Sequence, residues 1–181
     1  EVNCEGLSRG EGGWLSASSC GLCGKPTADG LFDGIAPVVR DVAVSAAALN
    51  RIHARAVERQ SAFQRSGGCH AACAATAAGE LLCAFEDIGR HNAVDKLEQG
   101  NLARADVLAV SSRVSFEIVQ KCARAGIPVL SAVSAPSALA VRMAERWGLT
   151  LAAFCRAGRA TFYSGANRVA RRMAGTGVAG A

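Results

Sequence analysis

The sequence predicts an α/β domain of three layers, α/β/α, around a mixed, largely parallel sheet. Three observations predict it. Downstream of residue 106, short apolar runs alternate with segments of helical period: Val107 to Ser111, Phe116 to Arg124, Val129 to Val133, Ser137 to Trp147 and Thr150 to Cys155. Such alternation requires crossovers, which lay helices over both faces of a parallel sheet. Gly126-Ile127-Pro128 and Gly148 stand where two of those helices must stop. Upstream, Cys69 to Thr76 and Glu80 to Glu86 flank Ala77-Ala78-Gly79, the pattern of a hairpin, which makes the sheet mixed.

In chain order, residues 1–40 form a first unit. Its leader is rich in Gly, Ser and Glu without a period, and Gly24, Pro26, Gly30, Gly34 and Pro37 break any regular element. The dithiol Cys20-Gly21-Leu22-Cys23 therefore sits on a flexible loop. The α/β unit spans residues 41–164. It opens with one helix from Ser45 to Gln64, carried by Leu49, Ile52, Ala56 and Phe63 and ended by Gly67-Gly68; His53 on it reads as an ordinary surface or boundary histidine. After the hairpin, Asp87 to Arg90 turn into a helix from His91 to Gln99. Residues 165–181 read as a basic, disordered tail in which Arg168, Arg171 and Arg172 are solvated.

With 181 residues, half of them hydrophobic, the chain can bury a core without staples. No apolar run reaches the roughly 20 residues needed to span a bilayer, and residues 1–20 lack a basic start followed by an apolar core. A cytoplasmic protein is expected, with neither membrane nor nucleic acid as partner. Of its eight cysteines, Cys69, Cys73, Cys83, Cys122 and Cys155 lie in apolar or periodic segments, where cysteine acts as a small hydrophobe. The net charge of +5 is uneven: no acid follows Glu145, whereas Arg146, Arg156, Arg159, Arg168, Arg171 and Arg172 do. A basic end points to phosphate.

Three stretches carry chemistry. Cys20 and Cys23 can form a disulfide, hold half of a metal site or carry sulfur as a persulfide. Lys25 favours the thiolate, and a closed zinc site would need two more ligands, for which Cys69 and His70 are the candidates. Glu86 to Lys96 packs polar residues onto turns around a short helix; Arg90 can grip an anion and His91 can relay a proton. Asp87 can cap that helix, and Asp95 can pair with Arg90 or Lys96. Phe154-Cys155-Arg156-Ala157-Gly158-Arg159 sets two arginines around a glycine at a strand's end, a fit to phosphate oxygens. It is not a Walker loop.

Ser19 to Gly24, Glu86 to Lys96, Ser111 to Glu117 and Phe154 to Arg159, in that order, resemble the FdhD family of formate dehydrogenase accessory sulfurtransferases, over residues 18–163. The resemblance implies a cytidine deaminase-like body, although Ala72 stands where the zinc deaminases need their glutamate. It implies a sulfurtransferase that takes persulfide sulfur from a cysteine desulfurase on Cys20, assisted by Cys23. The sulfur then passes to the molybdenum of a bis(molybdopterin guanine dinucleotide) cofactor destined for formate dehydrogenase. Phe154, Cys155, Arg156, Ala157, Gly158 and Arg159 would hold that cofactor, with Arg90 and His91 beside them and no metal of the protein's own. A homodimer is implied, and a guanine nucleotide should mimic the cofactor. The alternatives are a cofactor-binding chaperone without sulfur transfer and a zinc-stabilised binding module.

Overall fold

The computed structural model describes residues 34–100 and 102–170. The expected leader and dithiol loop through residue 33, with Cys20 and Cys23, and the last eleven residues lie outside the described residues. The chain divides into two compact units, Glu1–Gly34 and Ile35–Ala181, and the fold is that of the second.

Helix α1 (Ala46–Glu58) starts where the Ser45 hydroxyl accepts from the Ala48 amide at 3.1 Å. Removing that cap in Ser45→Ala should cost about 1 kcal/mol, read as a lower urea midpoint with unchanged slope. The expected single helix to Gln64 is two. Gln60, at φ −92° and ψ 57°, leaves the helical region before α2 (Ser61–Ser66). The cause is remote: the Glu86 carboxylate accepts from the Ala62 and Phe63 amides at 2.8 Å each, supplying an N-terminal cap from a strand.

Strands β1 (His70–Ala75) and β2 (Leu81–Asp87) form the expected hairpin, with His70 opposite Asp87. Then follow α3 (Arg90–Asp95) with a 3₁₀ turn at Lys96–Gln99, β3 (Val107–Val110), α4 (Phe116–Arg124), β4 (Val129–Ala132), α5 (Ala138–Arg146), β5 (Thr150–Arg156) and β6 (Arg159–Ser164). The sheet runs β2-β1-β3-β4-β5-β6. It is mixed, as expected, with the parallel pairs β3-β4 and β4-β5 at its centre. The parallel share is smaller than "largely": β2-β1, β1-β3 and β5-β6 are antiparallel, because a hairpin closes each end. Strand β6 was not foreseen, since Ala157-Gly158 reads in sequence as a ligand loop and is in fact also a hairpin turn.

Helix α1, with Val44 just before it, covers one face, packing Leu49, Ile52 and Ala56 onto Cys73, Val107, Ala109 and Val129. Alternation along the strands turns Leu108, Val110, Leu130 and Ala132 to the other face, where α3, α4 and α5 pack on the sheet and on each other. Three α/β/α layers result. Among the described residues, no helix is long and apolar enough to cross a membrane.

The expected tail is partly structured. Arg168 donates to the carbonyls of Gly148 (2.7 Å), Val38 (3.1 Å) and Arg40 (3.2 Å), and Val169 bridges Val44. Its guanidinium satisfies three backbone acceptors from two distant segments, which a solvated reading overlooks. Arg171 and Arg172 lie outside the described residues.

Candidate functional site

The carboxyl edge of β3, β4 and β5 carries two cavities, and Arg90 lines a different one from Cys155, Arg156 and Ala157. The first is bounded by the β5–β6 hairpin. Arg156 pairs with Arg159 across Ala157 (φ 51°) and Gly158 (φ 75°), a two-residue turn with both central residues left-handed, the pattern that matches strand twist. Asn50 of α1 clamps it: its side-chain oxygen accepts from the Gly158 amide at 3.1 Å and its amide donates to the Arg159 carbonyl at 3.1 Å. Phe154 is also left-handed (φ 53°), within a register shift between Ala153 and Arg156. A bulky residue in that region is strained by about 1–2 kcal/mol. Cys155 is buried, whereas Arg156 and Arg159 are exposed. Neither guanidinium has a partner among the described residues.

The cavity beside this hairpin holds about 250 Å³. Cys155, Arg156 and Ala157 line it, together with Asn50, His53 and Gln60 and mostly apolar neighbours. Phe154, Gly158 and Arg159 frame the hairpin without lining the cavity. His53, expected as an ordinary surface or boundary histidine, is a buried wall residue instead. Its Nε2 lies 2.7 Å from the Ser131 hydroxyl, which donates to the Cys155 sulfur at 3.3 Å. Burial lowers the His53 pKa to about 4 and raises that of the Cys155 thiol, the latter opposed by its hydrogen bonds. The signal was present in sequence: Leu49, Ile52, His53 and Ala56 share one helical face, so His53 had to be buried. Asn50 left no such signal.

Arg90 and His91 do not join this cavity. Asp87 holds their turn, accepting from the Gly89 amide (2.9 Å) and the Asn92 side chain (3.3 Å) and pairing with Lys96 at 2.6 Å. Lys96 first, then the Gly89 amide, hold the Asp87 carboxyl down to about 2. Asp95 pairs with Lys121, not with Arg90 or Lys96. His91 Nε2 lies 3.4 Å from the Ser115 hydroxyl and 3.7 Å from Glu117. Burial and the neighbouring Arg90 charge lower its pKa, partly opposed by Glu117. Arg90 lines a second cavity of about 370 Å³ with Arg113, Ser115 and Ser137. Among the described residues, no group of three His, Cys, Asp or Glu could hold a metal ion.

The chain matches the model of the FdhD/NarQ family over residues 5–170. It is 48% identical over 168 residues to the sulfur carrier protein FdhD of Streptomyces coelicolor, a match covering 88% of this chain and 60% of that one. The same-named protein of Nocardia farcinica is 46% identical over 177 residues, covering 91% and 62%. A crystal structure from Desulfotalea psychrophila, described as that of a formate dehydrogenase accessory protein, superposes with a TM-score of 0.67 at 28% identity, covering 75% of this chain and 60% of that one. The chain thus spans about 60% of the length of these relatives. Given a family match across most of its length and relatives nearly half identical to it, this chain belongs to the FdhD/NarQ family.

Proposed function

We propose that this chain carries sulfur, as the named relatives do, and delivers it to the molybdenum of a bis(molybdopterin guanine dinucleotide) cofactor bound for formate dehydrogenase. The observation that carries the reading is the β5–β6 hairpin. Two exposed, unpartnered arginines stand on a turn clamped by Asn50, beside a cavity of base-sized, mostly apolar character. Guanidinium forks on a clamped turn suit phosphate oxygens, and an apolar slot with a few polar groups suits a nucleobase. A dinucleotide cofactor presents both.

The chemistry assigned to the dithiol balances. The Cys20 thiolate attacks the outer sulfur of a desulfurase persulfide, forming a new S–S bond and releasing the desulfurase cysteine as thiolate. Cys23 then attacks the inner sulfur of the Cys20 persulfide. That step closes a Cys20–Cys23 disulfide and releases the outer sulfur as sulfide, with the two electrons coming from the dithiol. A cellular thiol reductant resets the pair. A reducing cytoplasm suits this cycle, and Cys69, Cys73, Cys83, Cys122 and Cys155 are free thiols. The segment with Cys20 and Cys23 would serve as the sulfur carrier, the α/β body as the cofactor platform, and a homodimer as the working form.

The test is to incubate the chain with a cysteine desulfurase and cysteine, then weigh it intact. One added sulfur atom that maps to the Cys20 peptide and is absent from Cys20→Ala is the expected result. A chain that gains no sulfur yet still binds guanosine diphosphate would overturn sulfur carriage in favour of a cofactor chaperone.

A further inference from the structure

The second cavity has features that neither packing nor the sulfur chemistry requires. It lies at the carboxyl edge of β3 and β4, in the loops that open α4 and α5, and is lined by Arg90, Arg113, Val114, Ser115, Pro136 and Ser137, with Ala135 between the two loops. No acidic residue lines it. Neither Arg90 nor Arg113 has a side-chain partner among the described residues, and the Nε of Arg90 is buried with no hydrogen-bond acceptor. A dry guanidinium N–H without an acceptor is costly, more so than for a neutral donor. The cavity that both side chains line leaves room for an anion to accept from their guanidinium groups.

The surroundings are preorganised for such a ligand. The two loops are tied by hydrogen bonds from the Val114 amide to the Ala135 carbonyl (3.1 Å) and from the Ser137 amide to the Val114 carbonyl (2.9 Å). Both nine-residue helices begin at the cavity, which adds positive partial charge. Ser137 spends its hydroxyl capping α5 on the Ala140 amide, but Ser115 makes no cap bond on α4. The nearest acid on these elements, Glu117, does not line the cavity and lies near His91.

We infer that the Arg90–Arg113 cavity is a second anion site, shaped for a diphosphate group and separate from the β5–β6 hairpin. Two forks set across a cavity this large suit a linked pair of phosphoryl groups better than a single small oxyanion. The inference deepens the proposed function, resting on it only for the ligand's identity, a cofactor that carries diphosphate groups.

The probe is inorganic pyrophosphate, titrated calorimetrically into the full chain at low salt. The wild type should show two classes of site. Arg90→Gln with Arg113→Gln should lose one class by tenfold or more, and Arg156→Gln with Arg159→Gln should lose the other. Arg113 is exposed, so Arg113→Gln alone remains informative where the Arg90 change disturbs folding, and Arg113→Lys should recover part of the affinity. An isotherm of the Arg90/Arg113 variant within twofold of wild type overturns the second site, whatever the sulfur assay gives. Pyrophosphate binding that depends on these arginines in a chain that never acquires sulfur on Cys20 keeps the site and removes the sulfur reading.

Discussion

Arg156→Gln combined with Arg159→Gln should weaken guanosine diphosphate binding by about 100-fold. Charge-assisted hydrogen bonds contribute roughly 1.5–3 kcal/mol each, and losing one from each arginine at the lower figure amounts to about 3 kcal/mol, or two decades at about 1.4 kcal/mol each. The scaffold should survive. Both side chains are exposed, and the clamp on the turn reaches from Asn50 to the Gly158 amide and the Arg159 carbonyl, atoms the substitutions leave in place. Unfolding free energy should therefore move by no more than about 0.5 kcal/mol. Asn50→Ala makes the complementary change, keeping both charges while freeing the turn, and should cost less affinity than the double variant. Calorimetry at two salt concentrations checks this: wild-type affinity should fall more steeply with salt than the double variant's. Wild-type affinity in the double variant would mean that the hairpin does not hold the phosphates.

Local features were legible in the sequence where the residues that decide them are close together. Helix α4 runs from Phe116 to Arg124, the bounds its period gives, because the amphipathic stretch and the Gly126 stop lie within one window. The hairpin β1–β2 and the positions of β3, β4 and β5 follow in the same way. What failed was decided at a distance. The break between α1 and α2 depends on Glu86, more than twenty residues away. Arg168 depends on carbonyls at Val38, Arg40 and Gly148. The site shows the same division. Arg156 and Arg159 could be picked out, since a turn glycine between arginines is a local signal. That Arg90 lines a cavity with Arg113 rather than with the hairpin follows only from how the sheet orders its strands. His53 is the instructive case, because its place on an apolar face is visible in the sequence while its polar side chain argues for the surface.

Acid should destabilise the fold through His53 before the carboxylates titrate. Its pKa is about 4 when folded against 6.5 for a free imidazole. Above pH 6.5 both states are neutral and the group contributes nothing. Below it the unfolded chain binds a proton that the folded chain refuses, so stability falls as the pH falls, and the loss is complete below about 4. Across that interval, at about 1.4 kcal/mol per pH unit, the loss approaches 3.5 kcal/mol. His91, whose pKa is also lowered, adds to it with the same sign. Urea midpoints of wild type and His53→Gln should therefore converge between pH 6.5 and 4, and parallel curves would remove His53 as the cause. The companion variant separates burial from hydrogen bonding. With Ser131 donating to Cys155, its oxygen accepts from His53 Nε2–H, a bond that protonation at Nδ1 leaves intact. The penalty is then dehydration of the cation alone. Ser131→Ala should accordingly lower stability at every pH while keeping the same slope between 6.5 and 4.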